Sequence, residues 1–393
     1  MRRKLERCIN VRDVRDRAGA VLPAPVLGYL EGGADDEYTL ERNLAAFRDF
    51  ELLPRFLVDV GETDLATHVL GVDLDFPVLL APTGMSRLFH PEAELAVARA
   101  AASSGTMYCL STVATESIES VAAVSNGAKM YQVYVFRDRG LNTEFVRRCK
   151  EAGYDAMCLT VDVPVGGNRE RDHRTGMALP PRFGWRSKLS FATHPTWSLG
   201  QLGGPAFDLP NVSRQFAGKE AGLAERLGFL FSQFDATVTW SDAERLIAEW
   251  DGPFAIKGIL SADDARRAVS IGATAVIVSN HGGRQLDTVP ATMDCLTAIV
   301  DTVGDQAEVI VDGGIRRGTD VLKALAIGAK ACMIGRPYVY GLATAGEAGV
   351  AHVLDIFRTE IDRDLALIGC RRPGELDRDF VRHRTRSLAE GPA

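Results

Sequence analysis

The sequence predicts an α/β protein closed into a (β/α)8 TIM barrel, and three observations carry that reading. Eight short apolar runs recur along the chain, and segments of helical character follow several of them. Most of the runs are continuously apolar instead of alternating, as parallel strands buried on both faces require. The 393 residues, 46% hydrophobic and 25% charged, have ordinary globular composition, and a single barrel accommodates that length.

The elements follow in order. Residues 1–70 form an N-terminal segment rich in helix formers. The runs FPVLLAP (76–82), MYCLS (107–111), KMYQVYV (129–135) and AMCLTVD (156–162) give the first four strands, and FAIKGI (254–259), AVIVSN (275–280), EVIVDG (308–313) and ACMIG (331–335) the last four. PEAELAVARAAASSG follows the first strand as a helix stopped by Gly105, TEFVRRCKEAG the third, SADDARRAVSIG the fifth and GTDVLKALAIG the seventh. Ser261, three residues before Asp264, has the spacing of a helix cap. The chain reads as one domain over 1–393, with the barrel at 76–345, an insertion after strand four at 163–237 and a C-terminal helical segment at 346–393.

The insertion breaks the rhythm, and long connections of this kind are usually functional. Between Gly166 and Gly200 it carries six basic residues against two acids, punctuated by Trp185, Phe191 and Trp197. Such a segment either sits on an anionic membrane surface or covers the barrel as a solvated lid. The net charge of −7 argues against a general nucleic-acid binder. Seven cysteines lack any Cys-x-x-Cys pair, so no metal site is expected, and buried thiols in a reducing cytoplasm are. Arg2, Arg3, Lys4 and Arg7 are followed by no apolar stretch, which argues against a signal peptide, and no run is long enough to span a membrane. The expected location is cytoplasmic, with peripheral contact on the inner face of the cell membrane if the 166–200 segment binds lipid.

In barrels of this kind the chemistry collects at the C-terminal ends of the strands. Those ends carry Thr83, Ser111, Gln132 and Tyr134, Thr160 and Asp162, Lys257, Ser279 and His281, Asp312, then Gly335 and Arg336. The stretches DGGIRRG (312–318) and IGRP (334–337) place glycines and arginines where a barrel commonly binds phosphate. No G-x-G-x-x-G follows an early strand, which argues against a Rossmann-bound nicotinamide. His281 stands just past strand six, with Arg284 three residues on. Asp162 is its candidate orienting partner, which suits a general base. Arg284 and Arg169 then form a clamp for an anionic substrate group.

SNHGGRQLD (279–287) resembles the signature of the FMN-dependent 2-hydroxy-acid oxidising family, which includes glycolate oxidase, lactate oxidase, mandelate dehydrogenase and membrane-associated L-lactate dehydrogenases. YLEGGADDEYTLERN, APTGM, LSTVAT, YQVYVFRDR, LTVDVP, IKGIL, DGGIRRGTDVLKALAIGA and IGRPYVYGLA resemble its other blocks, in its order. Within the family, HPTWSL and WDGPFAIKGIL look most like quinone- or cytochrome-linked L-lactate dehydrogenases, with mandelate dehydrogenase a close second.

The resemblance implies FMN as cofactor, contacted by Pro82, Thr83, Gly84, Ser111, Gln132, Thr160, Lys257 and Ser279, with its phosphate held by Asp312, Gly313, Gly314, Arg316, Gly335 and Arg336. It implies substrate contacts from Tyr29, Tyr134, Arg169 and Arg284, with His281 as base, Asp162 behind it and Tyr134 assisting catalysis. The implied reaction is oxidation of an L-2-hydroxy acid, L-lactate first, with electrons passed to a quinone or other external carrier. (S)-Mandelate as substrate and oxygen as acceptor remain open. Gly84 stands where family oxidases more often resemble alanine, and Val113 where glycolate oxidases look tryptophan-like. The family is usually tetrameric, although no feature of this sequence sets the subunit number. A non-redox FMN barrel such as an isomerase would share the phosphate site without needing His281, Arg284 and Arg169 together.

Overall fold

The computed structural model describes residues 5–178, 181–213 and 223–384. Eight strands close into a barrel: β1 (Val78–Leu80), β2 (Tyr108–Ser111), β3 (Lys129–Val133), β4 (Ala156–Thr160), β5 (Phe254–Ile259), β6 (Ala275–Val278), β7 (Glu308–Asp312) and β8 (Ala331–Ile334). Each pairs in parallel with its neighbours, and β8 returns to β1. Every predicted strand is present. Several end one or two residues before their apolar run, so that Ala81, Asp162 and Gly313 have already left the ladder.

The hairpin Thr67–Val69 and Val72–Leu74 plugs the N-terminal end of the barrel. Its Val69, Leu70 and Leu74 pack with the inward side chains Leu79, Met107 and Ala331. The expected boundary at residue 70 therefore falls inside this turn, where Leu70 and Gly71 adopt φ of 50° and 81°. The hairpin buries its apolar face in the barrel and belongs with it.

Helix Ala93–Ser103 ends as its sequence indicates, with Gly105 just beyond it at φ 63°. The Ser261 side chain caps helix Ala262–Ser270 by accepting from Asp264 N at 3.1 Å. The last helix, Arg336–Ile368, is broken at Ala345 and Gly346 by non-helical φ values of −157° and 59°.

The insertion folds as short helices: Glu170–Thr175, Trp185–Thr193, Pro195–Gly203, Pro210–Ser213 and Leu223–Gln233. Its return leg is anchored by Asn211, whose Oδ1 accepts from Ile118 N and from Arg148 Nη2, each at 3.0 Å. Arg148 is itself buried and paired in a fork with Glu119. Of the six basic residues in 166–200, Arg169, Arg171 and Arg174 pair with Asp172, Glu37 and Glu170. The free positive charge of the segment thus lies with Arg182, Arg186 and Lys188, which make no ion pair among the described residues. The seven cysteines are free, six of them buried. Among the described residues no helix is long and apolar enough to cross a membrane, and no His, Cys, Asp and Glu are grouped to hold a metal ion.

Candidate active site

The barrel register explains why the strand ends converge. Gln132 pairs with Ser111 on one side and Cys158 on the other, and Lys257 with Thr160 and Ile277. Asp312 pairs with Met333. In a closed, staggered barrel the inward residues of alternate strands lie in layers of four. Applied to this register, the rule puts Cys109, Cys158, Ile277 and Met333 in one layer. Ala81, Gln132, Lys257 and Asp312 lie above it, then Ser111, Thr160, Ser279 and Gly335. The interior thus turns from apolar to polar within one step toward the C-terminal face.

The two upper layers, Ser279 excepted, line a cavity of about 500 Å³ together with Met333. All predicted site residues line it except Asp162 and Ser279. Asp162 sits behind His281. Ser279 is fully buried, and its Oγ accepts from Lys257 Nζ at 2.7 Å and from His281 N at 3.1 Å. It steadies the lysine and the histidine instead of facing the cavity.

Lys257 also pairs with Asp312 Oδ2 at 2.8 Å. Burial works against its charge, but Asp312 and then Asp162 outweigh burial and hold its pKa above the ordinary lysine value. His281 Nδ1 lies 2.9 Å from Asp162 Oδ1. Burial pushes the Asp162 carboxyl up, yet His281 and then Lys257 pull it below the usual aspartate value. Asp162 is therefore a carboxylate and can only accept, so the His281 nitrogen facing it, Nδ1, is the one that carries a proton.

The two glycines after His281 are dictated by space and backbone. His281, Gly282 and Gly283 adopt φ of 56°, 64° and 75° in succession. A Cβ on Gly282 would stand 2.8 Å from Arg336 Nη1, and one on Gly283 2.6 Å from Leu40 N. Only glycine meets both demands. The turn brings Arg284 back over the cavity, where its Nη1 donates to Tyr29 O and Gly32 O at 2.8 Å each. Arg169 contacts Asp172 at 2.8 Å, out of hydrogen-bond alignment. Both guanidinium groups lie over the Tyr29 ring, at 5.4 Å for Arg169 and 5.1 Å for Arg284.

The opposite end of the cavity holds the glycines of β7 and β8. Gly313 and Gly314 adopt φ of 94° and 83°, which leaves their backbone open to close approach, and Arg316, Gly335 and Arg336 flank them. Arg336 donates to Leu30 O, Gly282 O and Gly32 O at 3.0 Å each. Of its five N–H groups, one on each Nη remains.

On the cavity floor three buried polar atoms have no partner: Gln132 Nε2, Thr160 Oγ1 and Asp312 Oδ1. Orphans of this kind require a ligand or water. An amide and a hydroxyl suit the hydrogen-bonding edge of a flavin ring, a carboxylate oxygen suits a sugar-alcohol hydroxyl, and the arginine–glycine end suits a phosphate. The residues fit FMN. Pro82, Thr83 and Gly84 line the adjoining wall, the Thr83 hydroxyl bonded to Tyr338 at 2.6 Å.

The sequence reading missed part of the roof. Leu230, Phe231 and Phe234 line the cavity from the end of the insertion, with Phe234 tilted on Tyr134 at 5.1 Å. The stretch RLGFLFSQF carries the apolar spacing of a covering helix, a usable signal. It also missed Asp172, whose burial pushes its carboxyl up while Arg169 and then Arg284 pull it down.

Fold and site define a (β/α)8 barrel whose cavity joins an arginine–glycine end to a histidine–aspartate pair and two further arginines. Residues 18–383 match the family of FMN-dependent dehydrogenases, and this chain belongs to that family. It is 45% identical over 377 residues to the L-lactate oxidase of Nostoc sp., covering 95% of this chain and 98% of that protein. It is 41% identical over 371 residues to the L-lactate dehydrogenase of Ectopseudomonas mendocina, covering 94% and 97%. The solved structure of the monotopic membrane protein (S)-mandelate dehydrogenase is similar at TM-score 0.91 and 38% identity, covering 95% of this chain and 99% of that one. The chain is thus an FMN-dependent oxidoreductase acting on CH–OH, and its cofactor is FMN. An oxidase and a dehydrogenase stand at 45% and 41% identity, so likeness alone selects neither acceptor.

Proposed function

We propose that this chain oxidises a small L-2-hydroxy acid, L-lactate to pyruvate first, and passes the electrons to a quinone or other external carrier. The observation that carries the reading is the His281–Asp162 pair in the same cavity as Arg169 and Arg284.

Arg169 and Arg284 bind the substrate carboxylate through charge-assisted hydrogen bonds, and two fixed donors orient the acid toward His281. Tyr29 adds a hydrogen bond to the carboxylate. Burial, then Asp162 and Tyr29, hold the Tyr134 pKa above the ordinary tyrosine value. Tyr134 therefore keeps its proton and donates to the oxygen that becomes the ketone. His281 Nε2 takes one proton, from Cα or from the hydroxyl, and Asp162 stabilises the imidazolium that results. FMN would be held by Ser111, Gln132, Thr160 and Lys257 at its ring, by Asp312 along its chain and by Gly313, Gly314, Arg316, Gly335 and Arg336 at its phosphate. When bound, it supplies the acceptor for the two electrons the acid gives up. Lys257, which keeps its charge, steadies negative charge arriving at the cavity floor.

Two features support an external carrier over oxygen. A methyl group at Gly84 would overlap Val113 Cγ2, so this wall is built for glycine. Helices Trp185–Thr193 and Pro195–Gly203 turn one face to the barrel, where Phe191 and Trp197 stack and Trp197 Nε1 donates to Leu88 O. Trp185, Leu199 and Leu202 face outward at 71%, 67% and 83% exposure, in the segment that also carries Arg182, Arg186 and Lys188. The inner face suits a lid and the outer face an anionic membrane surface. The apolar roof of Leu230, Phe231 and Phe234 supports (S)-mandelate as a second substrate reading.

Anaerobic addition of L-lactate to the purified yellow protein tests the proposal, with loss of the visible flavin band expected within seconds. Bleaching by (S)-mandelate instead changes the substrate and keeps the mechanism. Faster recolouring by a soluble quinone than by air supports the external carrier, and the reverse makes the chain an oxidase. A yellow protein that neither acid bleaches refutes the role given to His281.

A further inference from the structure

Helix Ala24–Glu31 ends at the cavity, with its last carbonyls turned toward two arginines. A helix leaves its final C=O groups unpaired and carries negative partial charge at that end. Tyr29 O and Gly32 O accept from Arg284, while Leu30 O and the same Gly32 O accept from Arg336. One carbonyl is thus shared by the arginine read above as the substrate clamp and the arginine read as the phosphate clamp.

The rim is fixed from its outer side by Glu31. Its Oε1 accepts from Arg15 Nε at 2.6 Å and from Tyr340 OH at 3.1 Å, and its Oε2 accepts from Arg15 Nη2. Tyr340 lies one turn beyond Arg336 on the same helix. Glu31 therefore ties the rim to the element that carries Arg336. Charge adds to geometry. Burial, then Arg284 and Arg316, draw the Arg336 pKa down to about 9, against the opposing pull of Tyr340 and Glu31. Burial pushes the Glu31 carboxyl up, and Arg15 with Tyr340 outweighs it, so Glu31 stays ionised.

We infer that Glu31 is a positioning residue which, by holding the Tyr29–Gly32 carbonyl rim, sets the substrate arginine and the cofactor-phosphate arginine together. The inference rests on the roles proposed for Arg284 and Arg336. His281 and Asp162 share no hydrogen bond with the rim, so loosening it weakens binding at both ends and leaves proton transfer largely intact.

The test compares Glu31→Gln, Arg15→Met and Arg336→Met with the natural protein, all as holoenzymes. The FMN dissociation constant is read from flavin fluorescence on dilution, and KM and kcat with whichever of L-lactate or (S)-mandelate bleaches the flavin. Loss of one charge-assisted contact predicts that the Glu31 and Arg15 variants each raise both the FMN dissociation constant and KM by about tenfold, with kcat changed by less than about threefold. A fall in melting temperature with both constants unmoved would make Glu31 merely structural and overturn the inference. Movement of only one constant would overturn the shared rim. If Arg336→Met leaves FMN affinity unchanged, the phosphate-site reading itself fails. If Arg336→Met weakens FMN and Glu31→Gln does not, only the positioning role fails.

Discussion

Replacing Asp162 by Asn isolates the charge behind the proposed base. The carboxylate lies 2.9 Å from His281 Nδ1, and the two side chains are only 14% and 25% exposed, so solvent screens the contact little. Charge-assisted hydrogen bonds contribute about 1.5–3 kcal/mol, and the imidazolium formed on proton transfer would lose that stabilisation. At about 1.4 kcal/mol per tenfold, flavin reduction should slow by about 10- to 150-fold. A flipped amide that donates to Nδ1 would leave Nε2 protonated and deepen the loss. The assay is anaerobic stopped-flow reduction under saturating substrate, with FMN content checked first. The substitution also alters the acid limb of stability. The folded pKa of Asp162 lies below its ordinary 3.8, so its contribution is complete above that value and is lost as pH falls through the folded pKa. Asp162→Asn should remove this component of acid sensitivity, read as urea midpoints between about pH 5 and pH 2. A variant that reduces its flavin within threefold of the natural rate would refute the orienting role.

Further consequences follow from packing and charge. Gly84→Ala forces a methyl group against Val113 Cγ2 and should cost about 1–3 kcal/mol. Adding Val113→Ala should recover part of it, and denaturant melts that give strictly additive losses would exclude the contact. Lys257→Met leaves Asp312 buried without its cation and should cost about 3–5 kcal/mol, with unchanged stability counting against the ion pair. Replacing Trp185, Leu199 and Leu202 by Ser should abolish sedimentation with anionic vesicles. Salt near 1 M, where screening acts over about 3 Å, should weaken it in the natural protein. Binding indifferent to both would remove the insertion from the membrane.

The barrel and its floor were legible in the sequence because both follow from periodicity. A strand buried on both faces must be continuously apolar, so a polar residue at its end stands out, and Gln132, Thr160, Lys257 and Asp312 were visible for that reason. Ser279 has the same signature but a different use, since whether a hydroxyl faces the cavity or supports Lys257 depends on the height of its neighbours. The charge of the insertion was legible in part. Counting gave an excess of basic residues, yet Arg171 is matched by Glu37, far away in sequence.

What stayed hidden was the N-terminal rim. Nothing local to Glu31 marks it, because its meaning comes from Arg15 on one helix and Tyr340 on another. Backbone carbonyls also leave no trace in residue type, so the acceptors that fix Arg284 and Arg336 could not be read from side chains. This asymmetry has a physical cause. The groups that touch substrate and cofactor need particular chemistry and betray themselves by it, whereas the groups that aim them need only a carbonyl at the right distance, which any residue in a helix's last turn supplies. Changes at Leu30 that preserve the backbone should therefore leave both arginines in place, while a proline at Gly32, which removes the N–H bonded to Gly28 O at 2.8 Å, should release them together.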